Sequence, residues 1–200
     1  MSLIKPFSGI RPKKKFAKEV TSPNVSYIDN YKPNKKLNFL NLLNTSKINK
    51  SKKILKSLKD KGIIQQDTSN HFYLYRITYN NKKLLGIVGK INLDNYDDKK
   101  ILGHEETFVE RIKKRKEQLL KFNSQISPIY TTYKSTPNLL IKLKNIFRFK
   151  SDYNFKSKDK CRHELWVVNK LNKVRLLKNY LKNIKKLYIY VMDIIEFKQC

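Results

Sequence analysis

Segments typical of β-strands alternate with segments typical of helices in the second half of this 200-residue chain. Phe72–Thr78 and Leu84–Leu93 are rich in β-branched and aromatic residues, and the Asn80-Asn81 pair between them suits a hairpin turn. Ile129–Tyr133 and His163–Val168 have the same strand-like character. This alternation favours an α+β or α/β fold with mixed sheets flanked by helices.

The spacing of apolar residues predicts the elements around these strands. Residues 1–34, broken by prolines, are expected to form an irregular N-terminal arm with one strand at Leu3–Phe7, and residues 35–200 an α/β region. Two helices are expected between residue 36 and Gly62, and a loop at residues 151–160. Further predicted elements are a helix Phe108–Phe122 with the apolar stripe Phe108, Ile112, Leu119 and Leu120, a helix Pro137–Phe147, a helix Val174–Lys185 and a final apolar run Leu187–Ile195.

The formal net charge of +29 is compatible with a nucleic-acid-binding protein. However, the chain is rich in residues with codons made only of A and T, and alanine occurs once, at Ala17. An AT-rich genome would raise the lysine content without selection for binding. We therefore favour genome bias over a small basic nucleic-acid-binding protein, which stays the alternative. In either case we expect nonspecific binding to polyanions at low salt, and the sequence indicates no specific partner.

The N-terminus has no apolar segment typical of a secretory signal, and no apolar run is long enough to span a membrane. The two cysteines, Cys161 and Cys200, are too few for a disulfide framework. We therefore expect a cytoplasmic protein.

His104 and Glu105 place an imidazole and a carboxylate together before a predicted helix. A histidine there could act as a general base or a metal ligand, with Glu105 orienting it. Alternatively, Glu105 and Glu106 only complement the positive end of the helix dipole. The spacing is not that of a zincin, no phosphate-binding loop or Ser-His-Asp order is recognisable, and no cofactor can be named.

Three other basic residues are candidates for binding an anion or a substrate. Arg115 could clamp a phosphate or carboxylate, although a solvated helix face also explains it. His163 and Trp166 are three residues apart on one predicted strand and therefore lie on opposite faces. Trp166 is expected in the core and His163 facing a cleft or half-buried, while Arg11 either binds an anion or fixes the N-terminal arm.

Several short motifs occur in the order typical of one uncharacterised bacterial family. The chain departs from the family pattern at Asn24-Val25-Ser26, where Pro-Tyr-Asp is usual. The motifs are Pro6-Phe7, Gly9-Ile10-Arg11-Pro12, Tyr96, His104-Glu105 with Thr107, Arg115, Ser127-Pro128, and His163 with Trp166. This ordered set resembles the domain of unknown function 1015.

The resemblance implies that full-length relatives act on small phosphorylated or amino-acid metabolites, with a link to serine metabolism and to kinase-like or phosphotransfer enzymes. It also implies that His104 and Glu105 are the catalytic candidates. Arg11, Arg115 and His163 then correspond to positions that bind the anion or substrate.

The C-terminus departs from the family after Leu187-Tyr188-Ile189, where Asp-Gly-His-His-Arg is expected. Back-translation of Met192–Glu196, read one nucleotide earlier, permits that motif. We therefore expect a frameshifted gene whose product is the N-terminal part of a larger fold, truncated near residue 190 and inactive. A minimal enzyme using His104, Glu105 and Arg115 is the alternative, as is a genuine terminal strand.

Overall fold

The computed structural model describes residues 2–21, 36–39, 48–103, 109–125, 128–134, 137–157 and 160–189. The chain divides into two compact units. The first unit consists of Met1–Ile10, Gln66–Gly103 and Thr131–Cys200, and the second of Arg11–Gln65 and His104–Tyr130. Each unit has its own cluster of buried apolar side chains.

Strands and helices are mixed along the described chain. The strands are β1 Ile4–Lys5, β2 Ile10–Pro12, β3 Ile64–Gln66, β4 Phe72–Tyr79, β5 Lys82–Val88, β6 Lys90–Ile91, β7 Ile101–Leu102, β8 Thr131–Thr132, β9 Tyr153–Lys156, β10 Arg162–Val168 and β11 Leu187–Ile189. The helices are α1 Ala17–Val20, α2 Ile48–Asp60, α3 Asp94–Asp97, α4 Val109–Phe122, α5 Pro137–Phe147 and α6 Leu171–Leu181, with a 3-10 turn at Lys14–Phe16.

An antiparallel sheet of four strands, in the order β5-β4-β10-β9, is the centre of the first unit. Its β4–β5 hairpin turns at Asn80 and Asn81, whose φ angles are 45° and 63°. Asparagine tolerates this left-handed conformation, and the resulting turn matches the twist of the two strands. The hairpin predicted from the Asn-Asn pair is thus confirmed.

The two faces of this sheet differ in burial, as the spacing of His163 and Trp166 predicts. Trp166 lies opposite Leu74 on the face that packs into the core, where the two residues are 4% and 0% exposed. His163 lies on the other face and is half-buried. α5 and α6 contribute Leu139, Leu143, Phe147, Val174, Leu177 and Leu181 to the same core.

Three smaller sheets accompany the central one. β1 pairs with β6, and β2 with β3. In the third, β11 lies between β7, to which it is parallel, and β8, to which it is antiparallel. Helices and mixed sheets together define an α+β fold, as expected from the sequence.

The second unit packs around Val20, Leu58, Ile63, Ile64 and Phe122. α2 ends at Asp60, and Gly62 follows with a φ of 61°, a conformation that favours glycine after a helix. The stop predicted before Gly62 is therefore confirmed.

Several predicted elements differ from the structure. The apolar stripe predicted for α4 is solvent-exposed at Ile112, Leu119 and Leu120, and the buried apolar residue of this helix is Phe122. The loop predicted at residues 151–160 contains β9, which gains regular structure by pairing with β10. The strand predicted at Leu84–Leu93 begins earlier and is divided into β5 and β6. Residues 36–39 form a turn, and those from 190 onward lie outside the described part.

Candidate functional site

In the three-stranded sheet, the ends of β7 and β11 and the start of β8 lie on the same side. Leu187 pairs with Ile101 and Tyr188 with Leu102 in the parallel direction. The carboxyl ends of β7 and β11 therefore point the same way. β8 is antiparallel to β11, so its start lies at this same edge. We call this the β7–β11 edge.

Residues of β7 and β11 are packed in the core and hold the β7–β11 edge in place. Ile101 and Leu187 are 3% and 0% exposed, and both belong to the core of the first unit. Gly103 follows β7 directly, and a Cβ added there would lie 3.4 Å from the Tyr96 hydroxyl. Tyr96, on α3, thus lies beside the end of β7.

Two of the candidates from the sequence adjoin this edge along the chain but are not described. His104 and Glu105 come one and two residues after Gly103, and both lie outside the described residues. Arg115 belongs to α4, but its side chain is likewise outside the described part. Their expected grouping in one cleft stays a prediction.

Arg11 lies on β2 and is half-buried. With the Gln65 amide turned so that its oxygen faces Arg11, both terminal guanidinium nitrogens lie 3.2 Å from that oxygen. Arg11 therefore contacts Gln65 on β3. Its role in binding an anion or in fixing the N-terminal arm stays a prediction.

His163 is held between aromatic rings on the half-buried face of the central sheet. Its ring stacks on Phe155 at 5.2 Å and on Tyr75 at 6.0 Å between centroids. Nδ1 hydrogen-bonds the Tyr75 hydroxyl at 2.5 Å, and Nε2 hydrogen-bonds the Ser157 hydroxyl at 2.7 Å. A hydroxyl can donate or accept, so this setting suits either protonation state of the imidazole.

A second histidine group lies between β3 and β4, and the sequence did not reveal it. Ser69 Oγ is 2.8 Å from His71 Nε2, and His71 Nδ1 is 3.5 Å from Asp67 Oδ2. The second distance is too long for a hydrogen bond, and Nδ1 makes no hydrogen bond within the part of the chain that the structure describes. The order carboxylate, imidazole, hydroxyl is that of a serine nucleophile with its base.

The chain around Asp67 is fixed by the N-terminal strand region. The Tyr73 hydroxyl donates to Asp67 Oδ2 at 2.5 Å and accepts from the Gly9 amide at 2.8 Å. A Cβ on Gly9 would lie 2.6 Å from that hydroxyl, so only glycine fits there. The sequence signal that could have found this group is the spacing Asp67-x-Ser69-x-His71 just before a strand.

Two properties of the described residues bear on the classes of site available. Within the ranges that the structure covers, no group of three or more His, Cys, Asp or Glu side chains is arranged to hold a metal ion. None of the described helices is both long and apolar enough to cross a membrane.

Fold and sites together define an α+β protein with two histidine-centred groups and a sheet edge at which two parallel strands end. The family model described as "Protein of unknown function (DUF1015)" matches residues 4–189. The chain belongs to this family, as the ordered motifs indicated. No curated protein and no solved structure matches the chain.

Proposed function

We propose that this protein binds small phosphorylated or amino-acid metabolites at the β7–β11 edge. The observation that supports this proposal best is the parallel pairing of β7 and β11, which puts their carboxyl ends side by side. Sheets with parallel strands commonly bind ligands just outside the carboxyl ends. The start of β8 adds a third chain segment to the same edge.

The residues that adjoin this edge along the chain have the chemistry for such a ligand. An imidazole at His104 can take a proton from a hydroxyl group of the metabolite, and the carboxylate of Glu105 can orient that imidazole. The Tyr96 hydroxyl beside Gly103 adds a neutral hydrogen-bonding group. A phosphoryl or carboxylate group on the ligand would be attracted to a chain with a net charge of +29.

We assign anion binding to Arg115, Arg11 and His163 by the resemblance of their motifs alone. For a phosphotransfer enzyme, a base and several cations around the transferred group are the expected parts. Serine and its phosphorylated form carry both the amino-acid and the phosphoryl chemistry, so they are the first ligands to test.

The test is calorimetric titration of the chain with O-phospho-L-serine, L-serine and inorganic phosphate at physiological salt. We expect saturable binding with one ligand per chain for at least one of the two amino acids. His104→Ala should weaken it about tenfold or more, because a hydrogen bond to a charged group contributes about 1.5–3 kcal/mol. The matched control is Lys59→Gln, which removes an exposed charge from α2.

Two outcomes would contradict the proposal. One is that His104→Ala and Lys59→Gln bind as the original chain does. The other is that inorganic phosphate binds as well as the amino acids, which would indicate attraction to net charge alone.

We further propose that the reading frame shifts near Met192, so that this chain is an inactive form of a longer family member. The support is the back-translation of Met192–Glu196. DNA sequencing across those codons and downstream tests it: an open frame that resumes the family pattern is expected. A stop codon in every downstream frame would refute it. If the proposal holds, restoring the frame should add turnover to the ligand binding of the shorter chain.

A further inference from the structure

We propose that Ser69 is a nucleophile, with His71 as its general base and Asp67 as the positioning carboxylate, and that it accepts acyl groups from activated carboxylic esters. This reaction is separate from the metabolite binding proposed at the β7–β11 edge. It is carried by the alignment of three side chains within five consecutive residues, 67–71.

The hydroxyl and the base are already in contact. Ser69 Oγ lies 2.8 Å from His71 Nε2, within the range in which the imidazole can take the hydroxyl proton. Ser69 is exposed, whereas His71 is 7% exposed. A substrate can therefore approach the nucleophile while the base stays largely screened from water.

Asp67 lies behind the imidazole on the side opposite the serine. Its carboxylate is 3.5 Å from Nδ1, and the Tyr73 hydroxyl holds it at 2.5 Å. Catalytic hydrogen bonds are often long before a ligand binds and shorten in the complex. A protonated imidazole would be stabilised by this carboxylate, the role of the acid in a serine triad.

The backbone keeps the histidine in place. His71 and Phe7 exchange two backbone hydrogen bonds of 3.0 Å each, and the Asp67 amide donates to the Gly9 carbonyl at 2.9 Å. Both ends of the residue 67–71 segment are thus tied to the N-terminal segment. A fixed base and a fixed carboxylate are what a reactive serine requires.

The reaction has two steps. Ser69 Oγ forms a bond to the ester carbonyl carbon while its proton passes to His71 Nε2; the ester C–O bond then breaks, and the leaving alkoxide takes that proton. A water molecule, deprotonated by His71, next attacks the acyl-serine and releases the carboxylic acid and the original hydroxyl. With a fluorophosphonate, an Oγ–P bond forms and fluoride leaves, which stops the reaction at the labelled serine.

The experiment is labelling of the full chain with a fluorophosphonate, followed by mass spectrometry of the peptide that contains Ser69, together with hydrolysis of p-nitrophenyl acetate. We expect label on Ser69. His71→Gln should slow labelling about 100-fold or more, because general-base catalysis contributes about 10²–10⁴-fold. Asp67→Asn should also slow labelling. In the original chain the labelling rate should rise with pH, and this rise should be absent in His71→Gln.

Thr68→Ala is the matched control, because Thr68 is an exposed hydroxyl residue of the same segment. It should be labelled at the rate of the original chain, whereas Ser69→Ala should not be labelled on this peptide. Since Ser69 is exposed, its alanine variant should fold, and an unchanged thermal melt verifies this. The proposal is overturned if the Ser69 peptide stays unlabelled in the folded original chain, or if His71→Gln, folded by circular dichroism, labels at the original rate.

Discussion

At the scale of single residues, Arg76 and Glu164 form a two-pronged ion pair beneath Trp166. Arg76 Nε and Nη2 donate to the two carboxylate oxygens at 2.6 and 2.7 Å. The guanidinium carbon also lies 5.0 Å from the Trp166 ring centre. The Glu164 side chain is only 9% exposed, so the Arg76 guanidinium replaces most of the water that would otherwise surround its carboxylate.

Glu164→Leu should therefore lower the free energy of unfolding by about 2–4 kcal/mol, because it leaves the Arg76 charge without its carboxylate. Arg76 is 20% exposed, so water compensates in part. The double variant Arg76→Met with Glu164→Leu should recover most of the loss. Urea denaturation of the original chain, Glu164→Leu, Arg76→Met and the double variant measures the coupling, and losses that simply add would show that the pair contributes no stability.

Tyr133 follows β8 and packs against the core of the first unit. Burial raises the pKa of its hydroxyl above the ordinary 10.0, because it disfavours the phenolate. Above pH 10 the Tyr133 hydroxyl loses its proton in the unfolded chain but keeps it in the folded chain. The free energy of unfolding therefore falls as the pH rises. Tyr133→Phe should show a smaller loss between pH 10 and pH 11 in chemical denaturation. An equal pH dependence in both chains would contradict this cause.

At the scale of elements, the sequence predicts best where local chemistry and tertiary pairing agree. Phe72–Thr78 is rich in aromatic and β-branched residues and is followed by a turn pair, so β4 was predicted. β9 was missed because Tyr153–Lys156 is only four residues long, lies between the polar residues Asp152 and Ser157, and gains its regular structure by pairing with β10. The Ser69 group was missed for a similar reason, because its geometry depends on contacts with Gly9 and Phe7, far away in the chain.

The β4–β5 turn gives an element-scale prediction. Asn81 has a φ of 63°, a left-handed backbone conformation that glycine adopts without strain and a β-branched residue adopts only with strain. Asn81→Val should lower the free energy of unfolding by about 1–2 kcal/mol, and Asn81→Gly should leave it equal or slightly higher. Thermal and urea unfolding of both variants measure the difference. Equal stability of the valine and glycine variants would mean that the turn has a different conformation in solution.

At the scale of the whole molecule, the net charge is the property from which we expect binding partners in solution. A charge of +29 on 200 residues predicts attraction to polyanions of any sequence. A dedicated nucleic-acid surface would use the basic segments Lys47–Lys61 and Arg111–Lys121, and the exposed lysines of α2 belong to the first of them. They are Lys50, Lys52, Lys53, Lys56 and Lys59.

Two variants separate charge-driven adsorption from a dedicated surface. In the first, those α2 lysines are replaced by glutamine. In the second, five exposed lysines elsewhere are replaced by glutamine: Lys82, Lys83, Lys150, Lys170 and Lys178. Adsorption driven by net charge predicts that both variants bind duplex DNA, single-stranded RNA and heparin more weakly by similar factors. Affinity should also fall steeply with salt, because each neutralised phosphate contributes about −0.9 to the slope of log K against log salt on duplex DNA. Fluorescence anisotropy across a salt series measures both effects.

A loss confined to the α2 variant, with a preference for one sequence or structure that persists at physiological salt, would instead support a nucleic-acid-binding protein.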